Sequence, residues 1–205
     1  MKTNLVWYAS YGSNLSRERF MCYIQGGTPK GTTSHQDGCT DKTPPVDDIK
    51  IEIPHELYFA KSSSKWGGGV AFIGLNQENR NMTRGRAYLI TKEQFTEVVK
   101  QENNNKSVLI DFESVIKNLS SICLASWYGN VIFLGYKHEN PIFTFTYDKN
   151  IGKEPFTKPS IAYLKVIAEG LREKHNLTND EIAKYLINKS GVKGNYTVDD
   201  LVSQL

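Results

Sequence analysis

The segment that most constrains this chain is Tyr11-Gly12-Ser13-Asn14-Leu15, which follows directly on the apolar run Leu5-Val6-Trp7-Tyr8-Ala9. An aromatic and β-branched run of that kind reads as a strand. Gly12 tolerates positive φ and presents no side chain, while Ser13 and Asn14 hydrogen-bond locally and open the helix suggested by Ser16-Arg17-Glu18-Arg19-Phe20. The chain must therefore pass from strand to helix within a few residues. The N–H groups at such a turn suit a carboxylate or a phosphate. An ordinary capped connection uses the same residues, and the segment by itself leaves both readings open.

With 205 residues, 39% of them hydrophobic, the chain can bury one substantial core, so a single domain over residues 1–205 is expected. A net charge of +3, carried by scattered lysines and arginines, gives no one-sided basic stripe, and nucleic acid is not an expected partner. The N-terminus lacks the uninterrupted apolar stretch of a signal peptide, and no span reaches transmembrane length, so no membrane partner is expected. Cys22, Cys39 and Cys123 are odd in number and far apart, with no Cys-x-x-Cys, which suits reduced thiols in a cytoplasm. Sequons such as Asn14-Leu15-Ser16 and Asn81-Met82-Thr83 are expected by chance in an Asn-rich chain.

Runs bounded by Gly, Asn and Asp predict strands at 5–10, 56–60, 69–75, 85–90, 107–111, 130–136 and 141–146, the last two forming a hairpin. Residues 26–48 have no usable periodicity and read as a long loop. The last quarter, about 159–205, is helical in character. Pro159-Ser160 introduces Tyr163, Val166, Ile167, Gly170 and Leu171 at helical spacing, and Thr178 with Glu181 forms a capping box ahead of Ile182, Tyr185 and Leu186. A short helix opened by Thr197 is expected in the tail.

The chemical candidate lies in a helix opened by Thr91 and Gln94, again at capping-box spacing. Its apolar positions are Phe95, Val98 and Val99, and Glu102 falls on that same face, whereas Glu97, Lys100 and Gln101 fall on the polar side. A carboxyl aimed at a core is a candidate general acid/base. The alternative is that Asn103-Asn104-Asn105 ends the helix and leaves Glu102 frayed into water; helical spacing does not decide between them.

Other constellations are weaker. His35-x-Asp37-x-Cys39 has no fourth ligand at zinc spacing, so no metal site is expected. His55, His138 and His175 are isolated from any nucleophile elbow. Cys22, after the first helix, reads as a small buried hydrophobe, and Tyr128-Gly129 as a pocket element or, more commonly for an aromatic there, as core. Trp66 and the glycines after it form a pocket wall or a β-bulge at a strand entry.

Tyr11-Gly12-Ser13-Asn14-Leu15 after an apolar strand resembles the signature of the γ-glutamylcyclotransferase-like family, whose loop holds the carboxylate end of a γ-glutamyl substrate. The resemblance extends to Glu102 on the helix after Gly85-Arg86-Ala87-Tyr88-Leu89-Ile90, where that family has its catalytic glutamate. It takes in Phe59, Trp66-Gly67-Gly68-Gly69 leading into Val70-Ala71-Phe72-Ile73, and Pro159-Ser160-Ile161-Ala162-Tyr163, with Tyr163 matching a tyrosine near the family's pocket. It covers about residues 5–187. Ser10, where the family usually has a small apolar residue, and Asn103, where many members have glycine, are departures that bear on substrate choice.

The resemblance implies an α+β fold, a small mixed β-barrel or curled sheet with flanking helices. It implies cyclisation of a γ-glutamyl amide to 5-oxoproline with release of an amine or amino acid. The substrate carries its own nucleophile, its α-amine. The implied roles are Glu102 as general acid/base and Tyr11, Gly12, Ser13, Asn14, Leu15 and Tyr163 as substrate-binding residues, without metal or organic cofactor. Two alternatives stay open: a catalytically silent module holding a small carboxylate or a protein partner on the same loop, and acyl exchange on a γ-glutamyl group.

Overall fold

The computed structural model describes residues 4–30, 32 and 35–205. Among these described residues, eight strands and six helices follow in the order β1 (Leu5–Ser10), α1 (Arg17–Gln25), β2 (Asp47–Ile53), β3 (His55–Ser63), β4 (Gly68–Gln77), β5 (Thr83–Thr91), α2 (Lys92–Glu102), α3 (Phe112–Asn118), β6 (Ser120–Ile122), β7 (Asn130–Lys137), β8 (Asn140–Thr146), α4 (Ile161–His175), α5 (Asn179–Leu186) and α6 (Val198–Gln204). A 3₁₀ turn, Ser13–Leu15, precedes α1. One sheet has the strand order β2-β5-β1-β8-β7-β6, and β3 pairs with β4 in a separate hairpin. The sheet is mixed: β1 runs parallel to β8, whereas β8, β7 and β6 are antiparallel neighbours. The α+β class with flanking helices stands as expected.

The chain forms two compact units. The first takes the segments up to Ser10, Arg17–Ile51 and Ala87–Asp148; the second takes Tyr11–Ser16, Glu52–Arg86 and Lys149–Leu205.

In the first unit, alternation along the strands sends Val6 and Tyr8 of β1, Val131 of β7, and Phe143 and Phe145 of β8 into one core with Phe20, Tyr23 and Ile24 of α1 and Phe95, Val98 and Val99 of α2. The rings stack: Tyr8 and Phe145 lie 5.1 Å apart and 8° from parallel, and Phe20 and Tyr88 lie 3.9 Å apart. Helix α2 begins where the sequence says it must, with the Thr91 hydroxyl accepting from Gln94 N–H and the Gln94 side chain returning to Thr91 N–H.

In the second unit, β3 and β4 form a hairpin whose register slips between Ala60 and Ser63, next to the Trp66 turn. Gly68 and Gly69 are required there by close approach. Gly69 N–H donates to Lys158 O, and a β-carbon at either glycine would collide with the backbone of Thr157 or Lys158. Ser160 caps α4 by accepting from Tyr163 N–H, and the Thr178 and Thr197 capping boxes open α5 and α6.

Two expectations fail. Residues 107–110 form no strand: Leu109 is 88% exposed, Ile110 is buried, and the segment leads to Asp111, whose carboxylate caps α3. It has an alternating pattern but pairs with no strand among the described residues. The end of the 26–48 loop is strand, because β2 starts at Asp47; the charges of Asp47, Asp48, Lys50 and Glu52 suit the outermost position in the sheet order. Among the described residues no helix is long and apolar enough to cross a membrane.

Candidate functional site

In the second unit the Tyr11–Leu15 segment turns on two short bonds, Leu15 N–H to Gly12 O and Ser16 N–H to Ser13 O. The N–H groups of Gly12, Ser13 and Asn14 lie ahead of that ladder, as in the first residues of any helical turn. Gly12 has φ −109°, so the positive φ that the glycine would allow is not used. Glycine is favoured for a different reason: a β-carbon would sit 3.1 Å from the Tyr163 hydroxyl and 3.5 Å from the Ala71 β-carbon. Gly12 and Ser13 are partly exposed, whereas Tyr11, Asn14 and Leu15 are buried. Leu15 packs so closely on Gly170 of α4 that a β-carbon at Gly170 would lie 2.7 Å from the Leu15 carbonyl oxygen and closer still to two other Leu15 atoms.

Tyr163, 3% exposed, reaches this turn from α4, and the structure brings it and the segment together. Its hydroxyl accepts from Ala71 N–H at 3.2 Å, and its ring lies edge-on to Phe59 at 6.2 Å and tilted against Trp66 at 4.7 Å. Trp66 is thus both beside a bulge and part of the wall around Tyr163. Arg86, 3% exposed on β5, donates to Leu15 O at 3.3 Å and pairs with Glu173 at 2.9 Å, fixing the exit of the turn.

Glu102 belongs to the first unit. It is the last residue of α2, half-buried, and it is hydrogen-bonded to the hydroxyl of Tyr23, which is also hydrogen-bonded to Arg19. Tyr23 and Arg19 are each 4% exposed and stand one turn apart on α1. Burial above all, with the nearby Glu102 charge adding to it, holds the Tyr23 phenol well above its usual range, so its proton stays available to a carboxylate. The frayed alternative is not what forms. Asn103 is 1% exposed and donates to Val99 O at 2.7 Å and to Tyr128 O at 3.1 Å, closing the helix end, while Asn104 and Asn105 turn the chain away with φ of 57° and 59°. Gln101 is not on a polar face either: its amide nitrogen donates to Tyr23 O at 2.9 Å, because α1 packs along that side of α2.

The other candidates separate. His35 contacts Thr28, Asp37 accepts from Asn105, and Cys39 is buried against the carbonyls of Tyr23 and Gln94, so this trio does not converge. No group of three or more His, Cys, Asp or Glu side chains placed to hold a metal occurs among the described residues. Cys22 lies within α1 rather than after it and is half-buried, its thiol pushed up by burial and by Glu18. Tyr128 packs on the aromatic core, edge-on to Phe145. His55 Nδ1 is 2.7 Å from Gly74 O and His175 Nε2 is 2.8 Å from Gly85 O, so both are tied to backbone.

Arg19, Tyr23 and Arg86 are the polar residues that sequence reading missed. Arg86, a charge inside an otherwise apolar strand run, gave a signal; the Arg19–Tyr23–Glu102 contact, made between two helices, gave none.

No protein-family model matches the chain. It is 38% identical over 198 residues to histone deacetylase 5 of Arabidopsis thaliana, an alignment covering 88% of this chain but 30% of that protein, so the chain spans under a third of that relative's length. In structure it is similar to an uncharacterized protein of Homo sapiens, with TM-score 0.53 and 18% identity over 98% of this chain and 99% of that one. It is equally similar to a gamma-glutamyl cyclotransferase, with TM-score 0.52 and 18% identity over the same shares. At that identity the likeness establishes the fold: the chain has the fold of gamma-glutamyl cyclotransferase.

Proposed function

We propose that this protein is a γ-glutamylcyclotransferase-like enzyme, acting as a single catalytic domain that converts a γ-glutamyl amide to 5-oxoproline and a free amine or amino acid. The observation that carries the reading is the placement of Glu102, a half-buried carboxyl ending α2 and held by the Tyr23 hydroxyl beside a buried arginine, on a chain with the cyclotransferase fold.

The reaction joins the substrate's α-nitrogen to its own side-chain carbonyl carbon, closing a five-membered ring, and then breaks the bond from that carbon to the departing nitrogen. The α-ammonium first gives up one proton to water to become the free amine; as that amine closes the ring, Glu102 takes a second proton from its nitrogen and delivers it to the departing nitrogen, so one carboxyl serves both transfers and leaves a ring N–H and a neutral amine. Tyr23 donates to the carboxylate oxygen that is not engaged with the substrate and fixes its orientation; Arg19, bonded to the same phenol, offsets the negative charge. The N–H groups of Gly12, Ser13 and Asn14 receive the α-carboxylate, the developing oxyanion, or both, with the buried side chains of Tyr11 and Leu15 anchoring the turn. Tyr163 holds the wall behind Gly12. Every step is an acid–base or acyl step, so the scheme calls for no metal or organic cofactor. Three free thiols support a reducing compartment such as the cytoplasm.

The relative named as a deacetylase gives this stretch no activity of its own, because the chain matches so little of that protein. The test is release of 5-oxoproline, followed by mass spectrometry, across γ-glutamyl amino acids, γ-glutamyl amines and glutathione. Release from one class supports the reading and names the leaving group; no release from any of them speaks for a silent module that binds a small carboxylate.

A further inference from the structure

One stripe of α4 meets the Tyr11–Leu15 turn at both of its ends. Tyr163 stands against Gly12, Gly170 packs on Leu15, and Glu173 reaches the Leu15 carbonyl through Arg86 of β5. Positions 163, 170 and 173 are spaced to share a helix face. The turn, Arg86 and α4 all belong to the second unit.

Arg86 is the residue that packing alone does not explain. It is 3% exposed, ahead of the apolar run Ala87-Tyr88-Leu89-Ile90, and its Nη1 serves two acceptors, Leu15 O at 3.3 Å and Glu173 Oε1 at 2.9 Å. Nη1 carries two N–H groups, enough for both. Taking a guanidinium out of water is costly, and an apolar side chain of similar length in its place is often neutral or stabilising. Glu173, with its side chain 44% exposed, is a partner still in contact with water. What the charge gives that an apolar residue cannot is a grip on the carbonyl that closes the turn. The turn's own bonds, Leu15 N–H to Gly12 O and Ser16 N–H to Ser13 O, are of the 3₁₀ kind, whose geometry is poorer than that of an α-helix. Gly12 and Ser13 are partly exposed, so an anion can approach this end of the turn from water, while the Leu15 end is buried and held by Arg86.

We propose that Arg86, seated by Glu173, is a positioning residue: by gripping Leu15 O it sets the direction of the Gly12, Ser13 and Asn14 N–H groups, so that the turn selects a carboxylate. It acts through the turn and touches no reacting atom. This rests on the reading of the turn as the carboxylate anchor of a cyclotransferase.

The test titrates L-5-oxoproline and its neutral carboxamide, by ligand-observed NMR, against the parent, Arg86→Met and the double variant Arg86→Met/Glu173→Met. The parent should prefer the carboxylate by at least about ten-fold, the size of a charge-assisted hydrogen bond. Arg86→Met should lose most of that preference while unfolding close to the parent's temperature, since half-exposed Glu173 can turn to water and no buried charge is stranded. The double variant should lose no more than Arg86→Met, because the two side chains act as one unit. A parent without the preference, or a folded Arg86→Met that keeps it, overturns the proposal. So does an Arg86→Met that fails to fold, because the pair would then be a requirement of the fold. A parent that discriminates through Arg86 yet releases no 5-oxoproline from any γ-glutamyl compound would sink the cyclotransferase reading and leave the positioning role standing. Release by the parent, with discrimination unchanged in Arg86→Met, would do the reverse.

Discussion

The hydroxyl of Tyr23 is hydrogen-bonded to the carboxyl of Glu102, and with Arg19 on its other side it forms a buried polar relay inside an otherwise aromatic core. If that relay sets the carboxyl's orientation, Tyr23→Phe lowers kcat roughly ten-fold or more while moving KM little, in line with a charge-assisted bond. The ring stays in the core, so its unfolding free energy falls by no more than about 1–3 kcal/mol, against about 3–5 kcal/mol for the larger truncation Tyr23→Ala. Steady-state kinetics and urea unfolding on the two variants check this.

Gly12→Ala tests the close approach of Tyr163. The added methyl meets the Tyr163 hydroxyl at 3.1 Å, so the hydroxyl must give by a few tenths of an ångström, which loosens its hold on Ala71 N–H. Activity is expected to fall at least about ten-fold, as a small misplacement of positioning groups does, with a modest change in stability. Full activity in Gly12→Ala would show that the Tyr163 contact does not position the turn.

Gly170→Ala sets two effects against each other. Alanine is the better helix former by about 1 kcal/mol, but its β-carbon overlaps Leu15 backbone atoms that cannot swing aside. Overpacking of that kind costs about 1–3 kcal/mol, so the variant should be less stable on balance and lose activity by shifting the Tyr11–Leu15 turn. Chemical denaturation decides the sign.

Alkaline pH should weaken the first unit through Cys39. Burial, with the Glu97 carboxylate adding to it, pushes this thiol from 9.0 to about 12. Below about pH 9 the thiol keeps its proton in both states and the contribution is fully present; above it the unfolded chain releases the proton first, and stability is lost until the folded thiol ionises near 12. The slope from one such group is about 1.4 kcal/mol per pH unit. Tyr23, also raised, adds to the loss above pH 10.0. Urea unfolding from pH 8 to 11 should show the decline, and Cys39→Ala should flatten it.

Much of this fold was legible where local chemistry decides structure. Thr91 with Gln94, Thr178 with Glu181, and Thr197 all cap helices as their spacing says, and the β7–β8 hairpin turns at His138 and Glu139, both at positive φ. What was not legible depends on neighbours. β2 hides its strand behind charges that an outer strand tolerates, Val108 and Ile110 alternate without a strand to pair with, and Gln101 turns inward because α1 lies beside it. Among the candidate site residues, Glu102 in the first unit, and the Tyr11–Leu15 segment and Tyr163 in the second, could be named from motifs. Tyr23, Arg19 and Arg86 could not, since their roles exist only once separate segments have packed.

The most direct test is a quantitative comparison of 5-oxoproline release by the parent and by Glu102→Gln, on the γ-glutamyl compound the parent turns over best. The account predicts release by the parent and a fall of about 10²–10⁴-fold in the variant, the size expected when a general acid/base is removed, with unfolding of the two proteins closely matched. Comparable release from both proteins would contradict it, because the carboxyl held by Tyr23 would then have no part in the chemistry.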